Sequence, residues 1–124
     1  MPLVRLDLPK NLADQARPIA DAVHSALVSA IGIPADDRFQ VINLRDPAHL
    51  IIDANYLGIA RSPNALIVQI YLRQGRTVDL KKALYAAIAA NLVALGLRAE
   101  DVLVSLSEND LPDWSFGLGL AQYC

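Results

Sequence analysis

Cysteine is almost missing from this 124-residue chain, which has one, Cys124. A disulfide framework is thereby excluded, and a reducing compartment, the cytoplasm, is the expected location. Lysine is scarce as well: Lys10, Lys81 and Lys82 are the only three among eleven basic residues, and the formal net charge is −2. A nucleic-acid partner is not expected, because phosphate binding draws on clustered basic side chains. The two histidines, His24 and His49, lack partners at metal-ligand spacing, so no metal site is expected. No Gly-x-Ser-x-Gly nucleophile elbow occurs. The most apolar stretch, Ala83 to Leu97, is short for a bilayer and carries Asn91. Arg5 and Asp7 interrupt the apolar start where a secretory signal would be continuous. No membrane association is expected.

What the chain has in abundance is hydrophobic side chains, 54% of residues against 19% charged. That balance is far from the low hydrophobicity and high charge of disordered segments. It also exceeds what one small globule readily conceals, which points to an oligomer interface.

The sequence repeats itself. At an offset of 64 residues, Leu3-Val4-Arg5-Leu6-Asp7-Leu8 lies over Ile67-Val68-Gln69-Ile70-Tyr71-Leu72, and Gly32 to Asp37 lies over Gly96 to Asp101. Between these blocks Ala22, Ala26 and Ala30 meet Ala86, Ala90 and Ala94, small residues at helical spacing. Each half reads as strand, helix, strand. The first strand alternates with period 2. A helix follows over about Asn11–Ile31, with Asn11 as its cap, Gly32 as its stop, and Pro18 forcing a late start or a kink. A second strand is expected near Phe39–Leu44. The other half predicts a strand at about Ala65–Leu72, a helix at Val78–Leu95 capped by Thr77 and stopped by Gly96, and a strand near Val102–Leu106. Leu80, Leu84, Ile88, Leu92 and Leu95 form the second helix's apolar stripe. Strands joined by a helix of this length should be parallel, with a right-handed crossover. The expected fold is α/β: two fused β-α-β repeats, about 1–45 and 64–108, in one domain over 1–124. They would form a four-stranded mixed sheet with both helices on one face and a further subunit on the other.

Pro2 is the most informative residue. An initiator Met before Pro is normally trimmed, leaving a secondary amine at the chain start. Ordinary α-amines titrate near pKa 7.7–8.0. Burial favours the neutral base and nearby carboxylates favour the cation. Such an amine can be a general base, a general acid or an iminium-forming nucleophile; otherwise Pro2 only opens a strand, a position Pro tolerates. Arg73 and Arg76 flank the end of the third strand and the cap of the second helix, where backbone N–H groups and guanidiniums together bind anions. Asp37 either polarises a water or amine or closes a turn, as Asp101 in the other repeat suggests. Trp114 and Phe116 offer an apolar wall or a packed tail. His24, aligned with Ile88, reads as a structural histidine.

These pieces together resemble a known family. The Met-Pro-Leu start, the two repeats, Ile33-Pro34-Ala35-Asp36-Asp37-Arg38-Phe39-Gln40, Gly75-Arg76-Thr77, Glu108-Asn109 and Asp113-Trp114-Ser115-Phe116-Gly117 are similar to the tautomerase superfamily, and most to malonate semialdehyde decarboxylase and its relatives. The resemblance covers nearly the whole chain. It implies a homotrimer, without metal or organic cofactor, with Pro2 as catalytic amine and Asp37 as its partner. Arg73 and Arg76 would bind a small substrate's carboxylate, with Arg76 the primary assignment because Gln74-Gly75 separates the pair. Trp114 and Phe116 would line the apolar wall. Relatives often carry a longer tail, so an end at Tyr123-Cys124 predicts a more open pocket. The leading expectation is a decarboxylase acting on a small carboxylated aldehyde or ketone. The alternatives are keto–enol tautomerisation of a 2-oxo acid such as phenylpyruvate, and a non-catalytic oligomeric binding module of the same fold.

Overall fold

A computed structural model describes residues 1–124. Period-2 alternation makes β1 (Leu3–Pro9) and β3 (Leu66–Arg73) two-faced strands, with Val4, Leu6, Leu8, Leu66, Val68, Ile70 and Leu72 all buried on one side. These two strands pair antiparallel at the centre of the sheet, Leu3 opposite Tyr71 and Asp7 opposite Ile67. Each carries a parallel partner outside it: β2 (Phe39–Arg45) beside β1, and β4 (Val102–Asn109) beside β3. The order β2-β1-β3-β4 is the mixed sheet of two β-α-β units that the repeat predicts.

The connecting helices, α1 (Ala16–Ile31) and α2 (Val78–Val93), pack together on the buried face. Ile19, Val23, Ala26 and Leu27 of α1 meet Leu84, Ile88 and Leu92 of α2 within one apolar cluster. Leu95 joins its edge, but Leu80, in the first turn of α2, is exposed, so the stripe on α2 is one residue shorter than the spacing predicts. His24 is buried, and its Nε2 lies 2.7 Å from the Ala35 carbonyl oxygen, the bond expected of a structural histidine.

Both helices stop at glycine as expected. Gly32 takes φ 71° and donates its N–H to Val28, and Gly96 takes φ 95° just past the last turn of α2. These are left-handed conformations that side chains disfavour. Thr77 caps α2 by accepting the Leu80 N–H at 3.2 Å. The start of α1 differs from expectation. Lys10–Gln15 forms a 3-10 segment, the α-helix begins at Ala16, and Asn11 pairs with the Asn64 side chain instead of capping. Pro18 then falls within the first turn, where its missing N–H leaves no bond unmade.

The last strand is longer than predicted. It runs on to Asn109 because Arg73 pairs with Asn109 and the Gln74 N–H donates to the Asn109 carbonyl at 2.7 Å. This extension brings Glu108 and Asn109 beside the turn that carries Arg73 and Arg76. The Leu50-Ile51-Ile52 stretch of the connecting segment forms no strand, and Ile51 is 88% exposed. No helix is long and apolar enough to cross a membrane.

Candidate active site

At the Pro2 end of β1, the chain start meets the turn before β2. Pro2 is buried, and Met1 precedes it, so the free ammonium in this structure belongs to Met1. That ammonium donates to the Asp37 carboxylate, and both groups are largely shielded, with side-chain exposures of 9% and 17%. The turn delivering Asp37 is fixed at both ends. The Asp37 N–H donates to the Pro34 carbonyl at 3.1 Å, and His24 holds Ala35 from below. Arg38 and Gln40 then tie the start of β2 to α1: the Arg38 guanidinium bonds Asp21, and Gln40 Nε2 donates to the Ala20 carbonyl at 2.9 Å.

Asp101, which stands in the other repeat where Asp37 stands in the first, has a different partner. It is buried and accepts from both the N–H and the hydroxyl of Ser62. Each aspartate thus takes an N–H donor just ahead of an inner strand. In the second repeat the connecting chain occupies that position. In the first it holds a free amine.

The second part of the site comes from the turn between β3 and α2. Gly75 takes φ 118°, which lets the chain reverse between the two arginines. Arg76 folds back so that Nη1 donates to the Arg73 carbonyl at 2.9 Å. Burial, followed by the neighbouring charge of Arg73, pulls the Arg76 guanidinium below its ordinary value, while Glu108 and Asp37 oppose that. It remains a cation at any physiological pH. Glu108 itself lies below its ordinary value of 4.5, first because Lys81 bonds it and also through the Gly75 N–H and the Arg76 charge.

Arg73, Arg76, Asp37 and Met1 line one cavity of about 250 Å³, with Gly32, Ile33, Pro34 and Tyr123. Its charges are three cations (the ammonium and two guanidiniums) against one carboxylate. A small anion is what such a balance favours. Tyr123, itself 53% exposed, is one of the residues lining this cavity. Alternation and motif spacing give no signal for it, since a lone tyrosine among turn residues belongs to no periodic pattern.

Trp114 and Phe116 do not line this cavity. They line a second one of about 430 Å³ on the bare face of the sheet, with Leu3, Phe39, Tyr71, Asn109, Asp113 and Ser115. Phe116 links the two, stacking flat on Trp114 at 5.4 Å and meeting Tyr123 edge-on at 5.7 Å. A third hollow of about 370 Å³ lies near Pro9, Lys10, Asp46 and Pro63, but Lys10 and Asp46 neutralise each other there at 2.8 Å.

Comparison with known proteins bears directly on this arrangement. The family model described as tautomerase enzyme matches residues 37–117, and a second model of the same description matches residues 2–59. The chain belongs to the tautomerase family. Like other members, this tautomerase-family chain is an enzyme, and the expectation of a non-catalytic binding module is set aside. It is 36% identical over 124 residues to the probable tautomerase YusQ of Bacillus subtilis (strain 168), covering 98% of each chain. Among solved structures it is similar to FG41 malonate semialdehyde decarboxylase inhibited by 3-bromopropiolate, with 43% identity, 98% and 93% of the chains covered, and TM-score 0.93. A second malonate semialdehyde decarboxylase, described for decarboxylase and hydratase activities, superposes at TM-score 0.90 with 32% identity over 98% and 95% of the chains. A fused 4-OT, solved as a symmetric trimer, follows at TM-score 0.73 with 29% identity over 95% and 94%.

Proposed function

We propose that this tautomerase-family enzyme decarboxylates a small 3-oxo carboxylate of the malonate semialdehyde type, using the amine of Pro2 once Met1 is removed. The observation that carries this reading is the shared cavity, where a chain-start ammonium on Asp37 faces two guanidiniums. Trimming Met1 moves the free amine one residue along the chain and onto a rigid pyrrolidine ring. Asp37 stabilises its protonated form.

The chemistry follows from the charges. Arg76, with Arg73, binds the substrate carboxylate, whose negative charge offsets the repulsion between the two guanidiniums. The Pro2 ammonium donates its proton to the substrate's carbonyl oxygen. The bond between the α-carbon and the carboxylate then breaks, carbon dioxide leaves, and the electron pair enters the polarised carbonyl to give an enol. A proton from water then adds to the α-carbon while the enol O–H returns its proton to the Pro2 nitrogen, giving the aldehyde and restoring the ammonium. Each contribution is electrostatic, aimed at charge that develops on oxygen as the bond breaks.

A second reading, keto–enol tautomerisation of an aryl 2-oxo acid, is favoured by the aromatic surface of Trp114 and Phe116 beside the cavity. It would need a neutral amine as base in place of the ammonium. An NMR assay of the processed protein with malonate semialdehyde and phenylpyruvate in parallel separates the two. Acetaldehyde formation at a clearly higher kcat/KM than enol interconversion is expected; the opposite ranking would transfer the assignment to tautomerase.

The same proposal includes a homotrimer. Phe39, Val41 and Leu103 are exposed on the sheet face away from the helices, and the related fused 4-OT is a trimer. With a single cysteine and no membrane-crossing helix, action in the reducing cytoplasm is part of this reading.

A further inference from the structure

One wall of the proposed active site is Tyr123, from the segment Gly117–Cys124. Every residue of that segment is exposed, and its backbone makes only two closing turns, Leu120 N–H to Gly117 at 3.3 Å and Cys124 N–H to Ala121 at 3.2 Å. An exposed segment with so few bonds would not by itself hold an aromatic ring in place.

Gln122 supplies what the backbone lacks. Its side-chain amide is used from both ends: Oε1 accepts the Phe116 N–H at 2.9 Å, and Nε2 donates to the Gly117 carbonyl at 2.8 Å. These groups lie at the root of the segment, so one side chain fastens the second turn back to the residue on which Tyr123 rests. The backbone is committed to this course. Gly117 and Gly119 take φ 134° and 68°, and Leu118, a residue with a Cβ, takes φ 61°. Leu118 is 93% exposed, so packing of its own side chain does not account for that conformation. What the course does achieve is delivery of Gln122 to Phe116 and of Tyr123 to the cavity. The support continues inward, from Tyr123 to Phe116 to Trp114, whose Nε1 donates to Asn109 Oδ1 at 2.8 Å at the end of β4.

Resting on the active-site reading above, we propose that Gln122 is a positioning residue for substrate size. By pinning Tyr123 across the cavity it admits a short oxo acid, of three or four carbons, and turns away longer chains. Tyr123 touches the substrate; Gln122 acts through it.

The test compares Gln122→Met, which keeps side-chain length and removes both hydrogen bonds, with Gln122→Glu, which keeps only the acceptor, and Tyr123→Ala, which removes the wall. The readout is the ratio of kcat/KM for malonate semialdehyde to that for the longer 3-oxohexanoate. Gln122→Met and Tyr123→Ala should each shift this ratio by about tenfold or more toward the longer acid, tenfold being the low end of what one methylene is worth in a pocket, with Gln122→Glu between them and the wild type. A merely structural role would lower both substrates alike, and an unchanged ratio overturns the proposal. The same selectivity is read without turnover from butanoate and octanoate binding, followed by fluorescence of Trp114, the single tryptophan. Binding selectivity that shifts in an enzyme inert toward both oxo acids keeps the role of Gln122 and discards the decarboxylase. Decarboxylation with unshifted selectivity in both measurements does the reverse.

Discussion

Arg76 is a guanidinium that both burial and a neighbouring like charge disfavour. It is half-buried, lies beside Arg73, and satisfies one of its donors on that residue's own carbonyl. A guanidinium in this position is poised for an anion that offers two parallel acceptors. Arg76→Ala should raise KM for a carboxylate substrate by about tenfold to a hundredfold, the value of a charge-assisted hydrogen bond, at roughly 1.5–3 kcal/mol. Steady-state kinetics checks this, and an unchanged KM would remove the clamp. Asp37 and Tyr123 show how unevenly such roles can be read from residue types. Asp37 was within reach of sequence reasoning because it sits in an Ala-Asp-Asp-Arg-Phe-Gln block like that of known tautomerases. Its distinction from Asp101 was not, since that depends on whether the neighbouring donor is a free amine or Ser62. Tyr123 depends wholly on how Gln122 folds the segment around it.

Among the elements, α2 does most to place the site, because its first turn fixes the Arg73–Thr77 reversal. Thr77 Oγ1 accepts the Leu80 N–H, and loss of that bond leaves an early helical N–H unpaired. Thr77→Ala should lower stability by about 1 kcal/mol, seen as a fall of a few degrees in Tm, and raise KM through loosening of Arg76. A fall in Tm with unaltered KM would show that the turn holds its shape without the cap. The elements most legible in the sequence are those whose signals are local: alternation in β1 and β3, Thr77 at the start of α2, and glycine at both helix ends. Those misjudged were decided elsewhere in the fold. The start of α1 moved because Asn11 found Asn64. The end of β4 moved because Tyr71, Leu72 and Arg73 at the end of β3 gave it three more residues to pair with, and Leu80 stayed exposed although its spacing fits the buried stripe.

For the molecule as a whole, the sheet has one face covered by both helices and one without such cover. Across the bare face, Phe39, Leu3 and Tyr71 form an apolar row at the Pro2 end, and in the next row Val41 stands beside the polar Arg5 and Gln69. Monomers rarely leave a large apolar surface of this kind open. Sedimentation at micromolar concentration should give three times the mass of the chain, and Val41→Asp should shift the protein toward monomer. A monomeric wild type would contradict the assembly. The repeat in the sequence made this architecture legible, because two β-α-β units must share a sheet and leave one side of it without helices. The grouping of Met1, Asp37, Arg73 and Arg76 in one cavity, with Trp114 and Phe116 in the next, was not legible. It arises from strand register and from the turns at one end of the sheet.

Carbon dioxide release from malonate semialdehyde by the Pro2→Ala protein tests the role of the ring nitrogen most directly. The expected result is a loss of about 10²-fold or more in kcat, the usual contribution of a positioned acid or base, with short carboxylates still bound by the arginines. A rate equal to that of the wild type would contradict it.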